Sequence, residues 1–191
     1  MRELSGPSGR QAPVTARHVA LLRGVNVGGR NKLPMAGLRA LFVDLGFTDV
    51  ATLIQSGNVV FTASRPPEPN RLEEEILERF SLTTTVVARD EGQIHEVVEA
   101  NPFKGVDPER VHVAFLPTPP DVARLDGLDV APFAPDRFAT GAAEVYFDLP
   151  NGMARTRLFG TVERRLRVAG TIRNLRTTVR LGRLVAEPPV G

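Results

Sequence analysis

The chain has no cysteine, no tryptophan, one tyrosine and three histidines among 191 residues. Without cysteine there is no disulfide, no thiolate metal site and no cysteine nucleophile. His18, His95 and His112 lie far apart, with no i, i+4 partner of the kind a helical zinc site uses, so neither a metal nor a cofactor is expected. No apolar run approaches the ~18 residues of a membrane-spanning helix. The first 16 residues are rich in Ser, Gly and Pro and lack the apolar stretch of a secretory signal. They read as a mobile tail, as do residues 186–191 around Glu187-Pro188-Pro189. The expected setting is cytoplasmic, with no membrane partner.

Lysine is also scarce. Of 24 basic residues only Lys32 and Lys104 are lysine, and the rest are arginine. Abundant Arg, Ala, Gly and Pro is what a GC-rich coding bias produces. The net charge is only +2. The pI near 9.6 follows from having little that titrates between neutrality and the arginine range, and it does not by itself point to nucleic acid. Hydrophobic content of 42% with 24% charge fits a folded chain with a sizeable core.

Apolar periodicity supplies the element order. His18 to Leu22 reads as a buried strand, followed by the Gly/Asn-rich loop Gly24 to Lys32. Pro34 opens a helix with Met35, Leu38, Phe42 and Leu45 on one face and Gly46 as its stop. Val50 to Ile54 and Asn58 to Ala63 form a hairpin around Gln55-Ser56-Gly57-Asn58. A helix opened by Asn70 and Glu73 buries Leu72, Ile76, Leu77 and Phe80. Thr83 to Ala88 is a strand, and Asp90 with Gln93 caps a helix ending at Asn101-Pro102.

The order then restarts. Val111 to Leu116 is a strand and Pro119 to Asp126 a short helix. Arg137 to Thr140 and Glu144 to Leu149 form a hairpin. Thr156 to Val168 is a helix burying Leu158, Phe159, Val162 and Leu166. Thr171 to Arg173 is a strand, and Asn174 caps a last helix to about Val185. His18-Val19-Ala20-Leu21-Leu22 is echoed by His112-Val113-Ala114-Phe115-Leu116, and Val60-Phe61 by Tyr146-Phe147. The reading is α+β: two ferredoxin-like βαββαβ subdomains related by internal duplication, spanning 17–105 and 106–185, with a boundary in the Pro/Gly/charged stretch Lys104 to Glu109.

Ala20 to Asn31, with its core Arg23-Gly24-Val25-Asn26-Val27-Gly28-Gly29-Arg30-Asn31, resembles the bacterial family called domain of unknown function 1697. The likeness continues through Pro34-Met35, Leu38 to Leu41, Leu45 to Phe47 and Ile54 to Phe61. It recurs at Pro150-Asn151-Gly152 and Thr171-Ile172-Arg173-Asn174. The resemblance implies two ferredoxin-like subdomains and leaves the activity open. The family often carries a tryptophan after the Arg-Asn pair; this chain has Leu175, so a stacking role there has no aromatic to perform it.

The sharpest functional signal is the first loop, where Arg23, Asn26, Arg30, Asn31 and Lys32 alternate with Gly24, Gly28 and Gly29. Glycines let backbone N–H groups approach a ligand, and the helix starting at Pro34 adds a positive dipole end. In a split βαβ unit this loop and the Gln55–Asn58 hairpin meet at one sheet edge, so Gln55, Ser56 and Asn58 join the set. Arg173 and Asn174 join it if the halves pack together. The expected partner is a small anionic or phosphate-bearing ligand, with enzymatic activity left open. Gly and Asn are equally the ordinary residues of positive-φ loops, so a structural role stands beside the binding one. Neither GK[ST] nor GxGxxG is present.

Charge is unevenly spread. Residues 66–109 carry eleven acids against four bases, and residues 151–184 carry nine arginines against Glu163 alone. Arg176, Arg180 and Arg183 share one helical face. Two further readings follow: a nucleic-acid-binding module using those arginines, and an interaction or self-associating module using both halves. A solvated face explains them as well. The aromatic platform of RNA-recognition sheets is missing. The oligomeric state is open.

Overall fold

The computed structural model describes residues 15–29 and 31–187. The expected tails lie almost wholly outside that range, as does Arg30. The first half runs β1 (Ala16–Leu22), α1 (Met35–Asp44), β2 (Thr48–Leu53), β3 (Asn58–Ala63), α2 (Pro69–Phe80), β4 (Val86–Asp90) and α3 (Glu91–Glu99). The second runs β5 (Val111–Phe115), two short 3-10 turns, β6 (Arg137–Thr140), β7 (Glu144–Asp148), α4 (Leu158–Leu166), β8 (Thr171–Asn174) and α5 (Leu175–Ala186). Each half is a four-stranded antiparallel sheet, ordered β2-β3-β1-β4 and β6-β7-β5-β8. The two sheets are the same plait twice, and the register repeats: Val19 faces Arg89 across β1–β4 as Val113 faces Arg173 across β5–β8.

Strand alternation divides the side chains between three cores. On the outer face of the first sheet, Ala20, Leu22, Val59 and Phe61 meet Leu38, Leu41 and Phe42 of α1 and Leu72 and Ile76 of α2. On the outer face of the second, Ala114, Leu116, Val145 and Phe147 meet Leu158, Val162 and Leu166 of α4. The inner faces share one core. Val19, Leu21, Val60 and Val87 of the first sheet and Val111, Val113, Phe115 and Tyr146 of the second enclose Ile94 and Val97 of α3 with Leu181 and Val185 of α5. The buried Tyr146 hydroxyl, on the second sheet, donates to the Val97 carbonyl of α3 at 2.9 Å. The halves are thus joined through a common interior.

Several local expectations are corrected. Pro119 to Asp126 is no α-helix: a 3-10 turn covers Val122–Leu125 and another Ala131–Phe133. Pro119-Pro120 and the positive-φ Gly127 leave too short a run for α-helical nucleation. Asn70 and Glu73 form no capping box. Pro69 sits in the first turn of α2, the N-cap is Glu68, and the Glu73 carboxylate accepts the Val86 N–H at 2.8 Å instead. Leu77 is half exposed, at the border of the α2 face. The strand expected at Thr83 to Ala88 runs from Val86 to Asp90, because Asp90 closes the strand and starts α3 in a complete capping box with Gln93. Asn174 caps α5 as expected, accepting from the Thr177 N–H at 2.8 Å.

Candidate functional site

The Gly/Asn loop leaves β1 and folds over the β2–β3 hairpin. Gly24, Gly28, Gly29, Asn26 and Asn31 all have positive φ, between 50° and 74°. That backbone alone accounts for the choice of Gly and Asn. The Asn26 amide donates to the carbonyls of Leu33 (2.9 Å) and Gln55 (2.8 Å), and its oxygen accepts the Leu33 N–H at 2.8 Å. Asn31 donates to the Gly24 carbonyl at 3.0 Å. Both asparagines therefore spend their side chains on holding the loop. Lys32 and Gln55 point to solvent. Gly57 (φ +71°) sits where a Cβ would meet Val25 and, at 2.8 Å, the Leu22 Cβ, so the hairpin can press against the loop only with glycine there.

Arg173 reaches across from the second half and is 8% exposed. Its Nε donates to the Asn58 Oδ1 at 2.5 Å and its Nη2 to the carbonyls of Leu22 (2.8 Å) and Ser56 (2.9 Å). Its Nη1 donates to the Thr171 hydroxyl (2.8 Å) and the Ile172 carbonyl (2.7 Å). No carboxylate among the described residues answers this charge, and burial pushes its pKa down to about 10, which leaves it a cation at neutral pH. Asn58, fully buried, returns its amide to the Leu53 carbonyl and the Ser56 hydroxyl. Arg173 and Asn58 form a clamp that pins the hairpin to the second half, and their polar atoms are occupied by the protein itself.

The duplication repeats this clamp in reverse. Arg89, the first-half counterpart of Arg173, donates to the carbonyls of Leu116 (2.7 Å) and Ala143 (3.1 Å). Leu116 and Ala143 correspond to Leu22 and Gly57, since Leu116 N–H bonds Ala143 O as Leu22 N–H bonds Gly57 O. Glu144 stands at the place of Asn58. Each half thus inserts one arginine into the strand end of the other. The signal was visible in sequence: Arg89-Asp90 and Arg173-Asn174 are both Arg-Asx pairs immediately before a capped helix.

A third tie involves Arg23, which donates to Glu163 of α4 (Nη2–Oε2 2.9 Å, with a closer Nη1 contact) and to the Gly170 carbonyl. Glu163 also accepts the Gly170 N–H at 3.0 Å. Arg23 remains a third exposed, and beside it a cleft of about 450 Å³ opens between the halves. One wall is Arg23, Gly24, Val25, Val27 and Ser56; the other is His112, Met153, Phe159, the whole of β8 and Thr177. β8 is an edge strand, so the cleft runs along a side that no strand covers. Of the expected set, Arg23, Ser56, Arg173 and Asn174 line this cleft. Asn26, Asn31, Lys32, Gln55 and Asn58 do not.

The cleft also holds residues that periodicity could not nominate. His112 is half-buried, and its Nδ1 lies 3.0 Å from the Arg110 carbonyl. A carbonyl only accepts, so the proton is on Nδ1 and Nε2 is left as an acceptor, with no partner among the described residues. Burial lowers its pKa below the ordinary value, against the opposing pull of the Arg110 carbonyl. Its counterpart His18 is buried instead, stacked on Phe61 at 5.8 Å. The same strand position thus carries two environments. Val27, at 62% exposure, is among the most exposed large apolar side chains.

The alternative basic face lies elsewhere. Arg176, Arg180 and Arg183 are exposed on α5; Arg176 pairs with Glu109, and Arg180 and Arg183 have no ion pair among the described residues. Among the described residues no cluster of three His, Asp or Glu side chains could hold a metal ion, and no helix is long and apolar enough to cross a membrane.

Comparison with known proteins decides the lineage. The model of the family described as Protein of unknown function (DUF1697) matches residues 15–146. The chain belongs to the DUF1697 family. No curated protein matches it. Among solved structures it is similar to the conserved bacterial protein SP0830 from Streptococcus pneumoniae, at 23% identity and a TM-score of 0.66, over 90% of this chain and 99% of that one. This DUF1697 chain and that protein share a fold, and the likeness carries no activity.

Proposed function

We propose that the chain binds a small organic anion, phosphate-bearing or carboxylic, in the cleft where the Gly/Asn loop edge of the first half meets β8 and the start of α5. The observation that carries the reading is the composition of that one hollow. Its volume is in the range of small-molecule sites. Its walls are largely apolar, from Val25, Val27, Met153, Phe159 and Ile172, with few polar groups, as such sites require. Arg23, a third exposed and held by Glu163, presents guanidinium N–H groups to one wall, its charge shared with that carboxylate. Ser56, Asn174 and Thr177 add hydrogen-bonding groups, and the His112 Nε2 adds a neutral acceptor able to take a proton from a bound ligand. Arg173 and Asn58 act as positioning residues, fixing both walls.

The test is a thermal-unfolding panel of organic acids and phosphate esters on the wild-type chain and on Val27→Trp, which fills the mouth of the cleft from an exposed position. A ligand at ~100 times its dissociation constant adds roughly 2.7 kcal/mol, which moves the midpoint by about 5–10 °C in a chain of this size. The expected result is a shift for at least one acid that Val27→Trp removes without lowering the unliganded midpoint. A shift that Val27→Trp leaves intact would place the ligand elsewhere.

A further inference from the structure

Beside the cleft lies a trough lined with arginine. One stretch, about 330 Å³, lies between residues 132–136 and Asn151, Arg155 and Arg157. The next, about 580 Å³, runs from Phe133 past Arg157 and Phe159 to Thr161 and Arg164. The two share Pro132, Phe133 and Arg157, and Phe159 is a wall common to the second stretch and the cleft. This hollow occupies the side of the second half where 3-10 turns replace the helix that α1 provides in the first.

The charge there is unanswered. Arg79 pairs with Asp44, Arg124 with Asp121, and both Arg110 and Arg137 with Asp148. Among the described residues, Arg155, Arg157 and Arg164 have no carboxylate partner, and Arg164 donates only to the Thr161 hydroxyl at 3.1 Å. Glu163, the acid of α4, is committed to Arg23 and the Gly170 N–H. Asp136 lines the trough but forms no ion pair among the described residues. Guanidinium groups around a hollow repel one another, and a multiply charged oxyanion answers them with paired N–H···O bonds. Arg180 and Arg183 are equally unpaired among the described residues, yet they stand on a helix face that lines none of these hollows.

We propose that the trough is a phosphate subsite, and that the ligand of the cleft is a phosphate ester or anhydride. Its phosphoryl end lies among Arg155, Arg157 and Arg164, and its organic body passes Phe159 into the cleft. The subsite stands on the trough alone; the path of the body rests on the cleft reading above.

The experiment is calorimetric titration of the full chain at constant ionic strength with inorganic phosphate, pyrophosphate and phenyl phosphate, and with phenylacetate and a short oligonucleotide as controls. Pyrophosphate is expected to bind the wild type and to lose at least tenfold in affinity to Arg157→Gln combined with Arg164→Gln. Both side chains are exposed, so the unliganded midpoint should hold. Phenyl phosphate is expected to bind at least tenfold tighter than inorganic phosphate, an advantage that Val27→Trp cancels. If pyrophosphate binding depends on the arginines but the phenyl ring adds nothing, the subsite stands and the cleft reading falls. If phenylacetate binds and is blocked by Val27→Trp while pyrophosphate does not bind, the phosphate subsite is overturned and the cleft reading survives. Oligonucleotide binding that the arginine variants abolish, with pyrophosphate inert, overturns the subsite in favour of a nucleic-acid strand.

Discussion

Arg173 shows how a residue's chemistry changes once its surroundings are known. Beside Asn174 in a sequence motif it reads as a ligand-binding cation. In the folded chain its donors meet the oxygens of Leu22, Ser56, Asn58, Thr171 and Ile172, and it becomes the bolt between the halves. Replacing it by Met leaves these buried acceptors without a donor. The expected cost is about 3 kcal/mol or more, read as a lower urea midpoint. Arg173→Lys should recover little, since one ammonium cannot span the set; full recovery by Lys would contradict the clamp. Ile54 makes the opposite case. It is β-branched and exposed, yet has a φ of +50° at the hairpin turn. Ile54→Asn should stabilise the fold by about 1 kcal/mol, because asparagine tolerates that backbone. No gain would mean that Ile54 makes contacts worth its strain.

His112 carries the pH dependence at this scale. Its folded pKa lies below 6.5, so the unfolded chain binds the proton more readily. Its contribution is therefore fully present above about 6.5 and is lost as pH falls through that value towards the folded pKa. His18 adds to the same loss, its burial outweighing the opposing charge of Asp90. His112→Asn, which keeps a donor near the Arg110 carbonyl, should flatten the fall in unfolding free energy between pH 7 and 5. A profile identical to the wild type would mean that His112 titrates normally.

Among the elements, those with sharp local chemistry were legible in advance. The β2–β3 hairpin, the capped starts of α3 and α5 and the first strands of both halves follow from Gly57, Asp90 with Gln93, Asn174 and the repeated His-Val-Ala pattern. What was missed depends on contacts from outside the element. Glu73 leaves its expected capping task for the backbone of β4. The α1 counterpart breaks into 3-10 turns among prolines, and the trough opens in its place. The first loop was readable as a special backbone, but only the structure shows that Asn26 and Asn31 are spent on holding it. Asn174→Ala should cost about 1 kcal/mol, as loss of an N-cap does, and should disturb the cleft because Asn174 and Thr177 both line it. Asp90→Ala should cost a similar amount and leave the cleft untouched, so the pair separates a capping role from a binding one.

At the scale of the whole molecule, duplication gave two plaits, and the chain fuses them through a shared core and reciprocal arginines. That arrangement could not be read from either half alone, since Arg89 and Arg173 make their bonds across it. It also explains why the candidate site is asymmetric. The Gly/Asn loop of the first half has no glycine-rich counterpart after Leu116, where Pro117, Pro119 and Pro120 follow instead. The cleft beside Arg23 is lined by that loop. The most direct test is a backbone amide NMR titration of the ¹⁵N-labelled full chain with phenyl phosphate. The account predicts resonance shifts confined to three groups distant in sequence: Arg23 to Val27, Thr171 to Thr177, and the surroundings of Arg157 and Arg164. Shifts centred on residues 63–68 at the far end of the first sheet, or none at saturating ligand, would contradict it.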